Sequence, residues 1–239
     1  MKRMLCLLMP MLLLSAAFAV GEEFWEKKEY KQWSLKECDK LLSESPWAKG
    51  LTLSNVGIMD SSRSSTDGQQ PFIKYQVQFR SALPIRQALI RKQQIQMKYD
   101  TLPAEQKQQV DKQAEAFLNG SPEDAVIVYV EYSTNDNIRI QELARHWQSR
   151  TTEMLKTLVY LSASKGDKAS VANFMPPRGA EQAFTFVFPR ELNGKPVVTP
   201  QDKNIKLEFA YPVMSGLGTG QAFMEFKVEK MIFNGNIAF

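Results

Sequence analysis

Phe72–Arg80 reads FIKYQVQFR, and Asp124–Tyr132 reads DAVIVYVEY. In the first stretch Ile73, Tyr75, Val77 and Phe79 alternate with Lys74, Gln76, Gln78 and Arg80. Successive side chains of a strand point to opposite faces, so this spacing predicts one dry face and one wet face. The second stretch is dense in β-branched and aromatic residues, which fit a pleated sheet. Two such strands place the chain among sheet proteins.

Downstream the same period recurs. Val171 to Phe174 follows a turn at Lys165-Gly166-Asp167, and Pro176-Pro177 then breaks the chain. Phe184, Phe186 and Phe188 alternate with Ala183, Thr185 and Val187. Ile205, Leu207, Phe209 and Tyr211 alternate with Lys206, Glu208 and Ala210. Asn193-Gly194 is a turn that joins paired strands, and Asn234-Gly235 bends the last segment, Met231–Phe239. Gly216–Gly220 is expected as a flexible loop before the strand Phe223–Val228. Upstream, Leu51, Leu53 and Val56 mark a first strand, and Asp60–Gln70 is a loop rich in Ser, Gly, Asp and Gln. Short strands with regular turn signals suggest a sandwich or partly open barrel.

Between the strands the period changes to that of a helix. Pro84 sits in a first turn, with Ile85, Ala88 and Leu89 on one face to about Lys98. Thr101 and Pro103 open a second helix, with Val110, Ala114, Phe117 and Leu118 as its stripe, and Gly120 ends it. This predicts a helical hairpin at about 84–118, leaning on the sheet. A third helix, at about 136–150, is capped by Thr134 or Asn135 and carries Ile140, Leu143, Ala144 and Trp147. Thr151–Leu161 reads as helix extension or as a new strand. Helices and strands do not alternate strictly, which argues against a parallel α/β sheet. The predicted class is α+β: an antiparallel β-sandwich or partly open barrel of seven to nine strands.

The beginning of the chain has a different character. Lys2 and Arg3 precede an apolar run, Leu5–Leu14, and Ala17-Phe18-Ala19 fits a small-x-small cleavage pattern before Val20. Residues 1–19 are therefore expected to be a cleavable secretory signal peptide, too short to span a bilayer. This predicts a periplasmic or extracellular protein without a transmembrane span after cleavage. Removing Lys2 and Arg3 from 30 basic residues leaves 28 against 26 acidic ones, a formal charge of +2. So even a balance argues against nucleic acid as a partner. Cys6 leaves with the leader, and Cys38 stands alone, so no disulfide closes within the chain.

Residues 20–50 form an aromatic-rich arm, and 51–239 the β-rich domain with its helical insertions. Ser34 and Glu37 make a capping box for a helix running to Glu44, and Ser45-Pro46 stops it. Leu35, Cys38, Leu41 and Leu42 are its apolar stripe, so Cys38 reads as a small buried hydrophobe rather than a functional thiol. Trp25, Tyr30, Trp33 and Trp47 crowd the arm. Tryptophan and tyrosine combine a large stiff surface with a polar handle, which suits a protein interface. The same residues also suit a staple that packs the arm onto the sheet.

Catalytic and metal chemistry find little support. One histidine, His146, and one cysteine are too few for an N/S zinc site, and no G-x-S-x-G elbow occurs. Gly216–Gly220 lacks the strand-then-helix setting of a phosphate loop. Glu123-Asp124 and Asp202 lie at strand edges, where solvation and turn-making account for them. No cofactor is implied.

EFWEKKEYKQWS, CDKLLSESPWAKG, SALPIRQAL, VVTPQDKNIKLEF and EFKVEKMIFNGNIAF span most of the chain after the leader. Together they resemble a group of uncharacterised exported proteins of the acidobacterial type. The resemblance implies a bacterial envelope or secreted location, and no activity or catalytic residue. The expected role is a non-enzymatic module that binds an envelope protein through Trp25, Tyr30, Trp33 and Trp47. The alternatives are a hydrolase or lyase acting on an envelope polymer, and a carrier of an apolar small ligand.

Overall fold

A computed structural model describes residues 23–54, 72–120, 123–214 and 218–239; at 213–214 and 218–219 it describes the backbone only. The expected leader, Val56 and the expected loop at Asp60–Gln70 lie outside the described residues.

The arm folds as α1 (Phe24–Lys27), a 3-10 turn at Tyr30–Gln32, and α2 (Leu35–Ser43). The Ser34/Glu37 capping box forms as the spacing predicts, and Lys28 adds an ion pair to Glu37 at 2.6 Å. Bonds from Lys28 and from Ser34 hold the Glu37 carboxyl down at about 2. The chain then runs through β1 (Ala48–Ser54) and β2 (Phe72–Phe79) into the hairpin α3 (Leu83–Gln96) and α4 (Ala104–Asn119). After β3 (Ala125–Thr134) come α5 (Asn137–Gln148) and the single turn α6 (Thr152–Leu155). Short strands follow: β4 (Val159–Ala163), β5 (Ala169–Ser170), β6 (Asn173–Met175) and β7 (Ala183–Pro189). A small hairpin, β8 (Glu191–Leu192) and β9 (Lys195–Pro196), precedes the long pair β10 (Asn204–Met214) and β11 (Gly218–Lys227). β12 (Ile232–Phe233) and β13 (Asn236–Ile237) close the chain.

Nine strands form two antiparallel sheets, β1-β2-β3-β7-β6 and β11-β10-β4-β5. Their arrangement is sandwich-like, without a closed barrel. β3 is the middle strand of the first sheet, and its register sets Tyr132 opposite Tyr75 and Val130 opposite Val77 on one side. On the other side Val128 meets Phe186. The two inner faces meet through rings: Tyr75 on Phe209 at 5.3 Å, Phe79 on Phe226 at 4.9 Å, Phe186 on Phe209 at 6.0 Å. Trp147, from α5, stacks on Phe184 at 4.0 Å and touches Tyr75 and Phe209 edge-on, so one side chain bridges both sheets. Each such ring pair adds about 0.5–1.5 kcal/mol beyond the area it buries. Trp25, Trp33, Cys38 and Leu41 of the arm belong to the same continuous core.

Three local expectations are corrected. The second face of β2 is not uniformly wet: Gln78 is only 6% exposed. Its amide donates to Leu42 O at 2.8 Å, and the Gln76 amide to Ser43 O at 2.9 Å. α2 lies on this face, and the two glutamines satisfy carbonyls that a helix C-terminus leaves open. The cap of α5 is Asp136, whose carboxylate accepts from Ile138 N and Arg139 N, rather than Thr134 or Asn135. Asn135 is engaged elsewhere, accepting from Phe72 N. Finally, Gly218 to Gly220 belong to β11 and not to a loop. Gly220 lies opposite Tyr211, and a Cβ there would run into the Tyr211 ring. Both readings of Thr151–Leu161 hold in part, since α6 is followed by β4. The Asn193-Gly194 and Asn234-Gly235 turns have positive φ at both residues, as two-residue hairpins require. Among the described residues, no helix is long and apolar enough to cross a membrane.

Candidate functional site

β1 ends one row of strands and β11 ends the other, so each has a free edge among the described residues. The two edges lie on one side of the sandwich. Lys49 of β1 donates to Glu225 O of β11 at 2.6 Å, and its ammonium lies 5.3 Å from the centre of the Phe226 ring. Beside them opens a cleft of about 630 Å³, walled by β1, β2, the segment after α2, and the end of β11.

The backbone of β1 faces this cleft in a definite sense. Trp47 O accepts from Phe79 N, so the alternation of an antiparallel ladder directs residues 47, 49, 51 and 53 toward β2. Gly50 and Thr52 then turn their N–H and C=O groups to the open side, and both line the cleft. Four lysines, Lys49, Lys74, Lys227 and Lys230, line it with two carboxylates, Glu23 and Glu44. Lys40 pairs with Glu23 at 3.3 Å and offsets one of these. The cleft is therefore cationic on a protein whose charges otherwise nearly cancel.

The aromatic arm borders the cleft from beneath. Trp25 is 6% exposed and contributes to the wall. It meets Trp47 edge-on at 5.9 Å and Phe24 at 4.9 Å, with the Lys40 ammonium 5.8 Å from its ring centre. Phe24 in turn meets Trp33 at 5.7 Å. Trp33 is buried and donates from Nε1 to Lys28 O at 3.1 Å. Trp47 is buried against Phe233. Tyr30 is half-buried near Asp111 and Glu115 of α4, and burial raises its phenol. So the structure joins Trp25, Trp33 and Trp47 into one chain of rings, directed inward. Their packing role is plain; Trp25 alone reaches the cleft. The four lysines went unnoticed in the sequence because two lie on β1 and β2 and two at the end of β11 and the turn after it, much further along the chain.

The remaining candidates fall in separate places. Cys38 is buried, and that burial pushes its thiol up to about 11. His146 stands edge-on to Trp147, with the Arg150 guanidinium against both ring nitrogens at 3.3 and 3.4 Å. Burial, and then Arg150, lower its imidazole to about 4. Asp202 makes a turn, accepting from the N–H and hydroxyl of Thr199. Glu123 and Asp124 line a second cleft of about 620 Å³ with Glu191 and Arg190. Arg190 donates to Phe239 O and lies on the Phe239 ring. Among the described residues no group of His, Cys, Asp and Glu is placed to hold a metal ion.

No family model, curated protein or solved structure matches this chain.

Proposed function

We propose that this protein is an exported, non-enzymatic binding module of the bacterial envelope, and that it receives an extended acidic segment of a partner protein along β1. The observation that carries this reading is the free edge of β1 facing a lysine-lined cleft. An added strand pairs with exposed N–H and C=O groups, while side-chain chemistry beside the edge selects the partner. Gly50 and Thr52 supply the backbone groups, and Lys74, Lys227 and Lys230 the complement to acidic side chains. The inward aromatic arm supports the same reading by fixing β1 from behind.

The test uses protein expressed with its own first nineteen residues, so that N-terminal sequencing reports cleavage before Val20. A labelled peptide alternating Glu and Val is titrated by fluorescence anisotropy, with a Lys/Val peptide as control. The acidic peptide is expected to bind in about the micromolar range and to weaken with salt. Thr52→Pro removes an outward N–H at an edge that tolerates proline, and Lys227→Glu with Lys230→Glu reverses the charge. Each is expected to weaken binding about tenfold or more. Equal binding of the basic peptide, or undiminished binding by both variants, rules the reading out.

A further inference from the structure

β1 presents two faces, and the cleft opens over one of them. Gly50 and Thr52 pair with Gln76 and Lys74, and all four line the cleft. Lys49, Leu51 and Leu53 pair instead with Val77, Tyr75 and Ile73, so they share the face that meets the second sheet. Val77, Tyr75 and Ile73 are fully buried there. Leu51 and Leu53 are only half-buried, although both pack against the same core. From this face the Lys49 ammonium crosses to Glu225 O and the Phe226 ring, and so bridges the two sheets at one end of β1. The two leucines stand further along the same edge.

On the cleft face, a Cβ at Gly50 would stand 3.3 Å from Lys74 Cε. The lysine stem therefore lies across Gly50, from β2 toward the open edge. Successive side chains of an added strand alternate between the two faces. Those opposite Gly50 and Thr52 enter the cleft beside Lys74. Those opposite Leu51 and Leu53 fall over the half-buried leucines. We infer, resting on the reading that an acidic segment pairs with β1, that this segment is two-faced: carboxylates on the cleft side, and branched apolar side chains that extend the sandwich core over Leu51 and Leu53. A carboxylate opposite either leucine would lose water against hydrocarbon and gain no counter-charge. An apolar side chain in the same place gains by burial. The site therefore selects alternation of acidic and apolar residues, not negative charge alone.

The test compares two peptides of equal charge and length, one alternating Glu with Val and the other Glu with Ser. Either peptide has one acidic row whichever way it runs, so chain direction does not enter. Both are titrated into the chain from Val20 onward, carrying carbon-13 in its leucine methyl groups. The Leu51 and Leu53 signals are identified by their loss in Leu51→Val and Leu53→Val. The Glu/Val peptide is expected to shift both signals saturably, with nuclear Overhauser contacts from its valine methyls to both leucines. The Glu/Ser peptide is expected to bind about tenfold weaker or worse, because its second row has no hydrocarbon to bury. Equal affinity of the two peptides, or saturation by Glu/Val that leaves Leu51 and Leu53 undisturbed, overturns the inference while the site on β1 stands. Failure of both peptides to bind removes the site itself, and this inference with it.

Discussion

The sandwich and the α3–α4 hairpin are built from the same kinds of residue, and they end in opposite conditions. Between the sheets the large apolar side chains share one continuous core, and Trp147 ties both layers together. In the hairpin, Ala114 is the one buried residue of α4, and Phe117 at 44% and Met97 at 39% stay exposed. α4 meets only α3 in force, whereas α2 is held on three sides by α3, β1 and β2. The difference teaches that a period of two backed by a second sheet specifies its own partner. A helical stripe specifies only a direction, and the partner it faces need not fill it.

The sharpest way to break this contrast is to empty the centre of the sandwich. Trp147→Ala removes the side chain that stacks on Phe184 and meets Tyr75 and Phe209. Large-to-small changes of buried aromatics cost about 3–5 kcal/mol, a sizeable part of the stability of a domain. Urea denaturation is expected to show the midpoint falling by that measure, with Trp147→Phe retaining most of the loss. A cost below about 1 kcal/mol for Trp147→Ala would mean that the two sheets are held together without α5.

Much of the sandwich was legible in advance, because strand alternation needs only local spacing. Ile73, Tyr75, Val77 and Phe79 were placed on one face by their period, and all four are buried. Gln78 and Gln94 were not legible as buried residues, because a polar type in a periodic run is assigned to the outside. Burial of Gln78 depends on α2 folding back over β2, and burial of Gln94 on α4 closing over α3. Both are events of tertiary packing that the local pattern does not contain. Gly218–Gly220 failed for a related reason: glycine carries weak strand preference, and the strand there rests on pairing with β10, where the Tyr211 ring leaves no room for a Cβ at Gly220. The cleft was invisible because β1 and the end of β11 are distant in sequence, while near-neutral composition hides a local excess of lysine.

A smaller effect separates the inner end of α5 from its surface. His146 has its imidazole lowered to about 4, by burial first and Arg150 second. In the unfolded chain an ordinary histidine titrates near 6.5. The unfolded state therefore binds more protons between these values, and stability rises with pH across that window. The stabilising share is complete above about 6.5 and is lost as pH falls toward about 4. Chemical denaturation at pH 7 and pH 4.5 is expected to differ by about 1–2 kcal/mol from this residue, allowing for partial solvent contact. His146→Phe, which keeps the edge-on contact with Trp147, is expected to flatten that slope. An unchanged slope in His146→Phe would assign the pH dependence between these values to other groups; Glu37 is not among them, because its share is lost only below about pH 4.5.

A last effect of similar size bears most directly on the contrast. Phe117 lies on α4 with nearly half of its surface in water, although its position in the stripe matches Ala114 and Val110. Phe117→Ser gives up only the half of the ring that is buried, so the loss of stability is expected to be about 1–2 kcal/mol. Against the several kcal/mol at Trp147, that result would say that the hairpin's apolar wall contributes less to folding than the centre of the sandwich. A stability loss of about 3 kcal/mol or more would reverse the argument: Phe117 would then be packed in solution, and the hairpin would be a filled layer of the same kind as the sandwich.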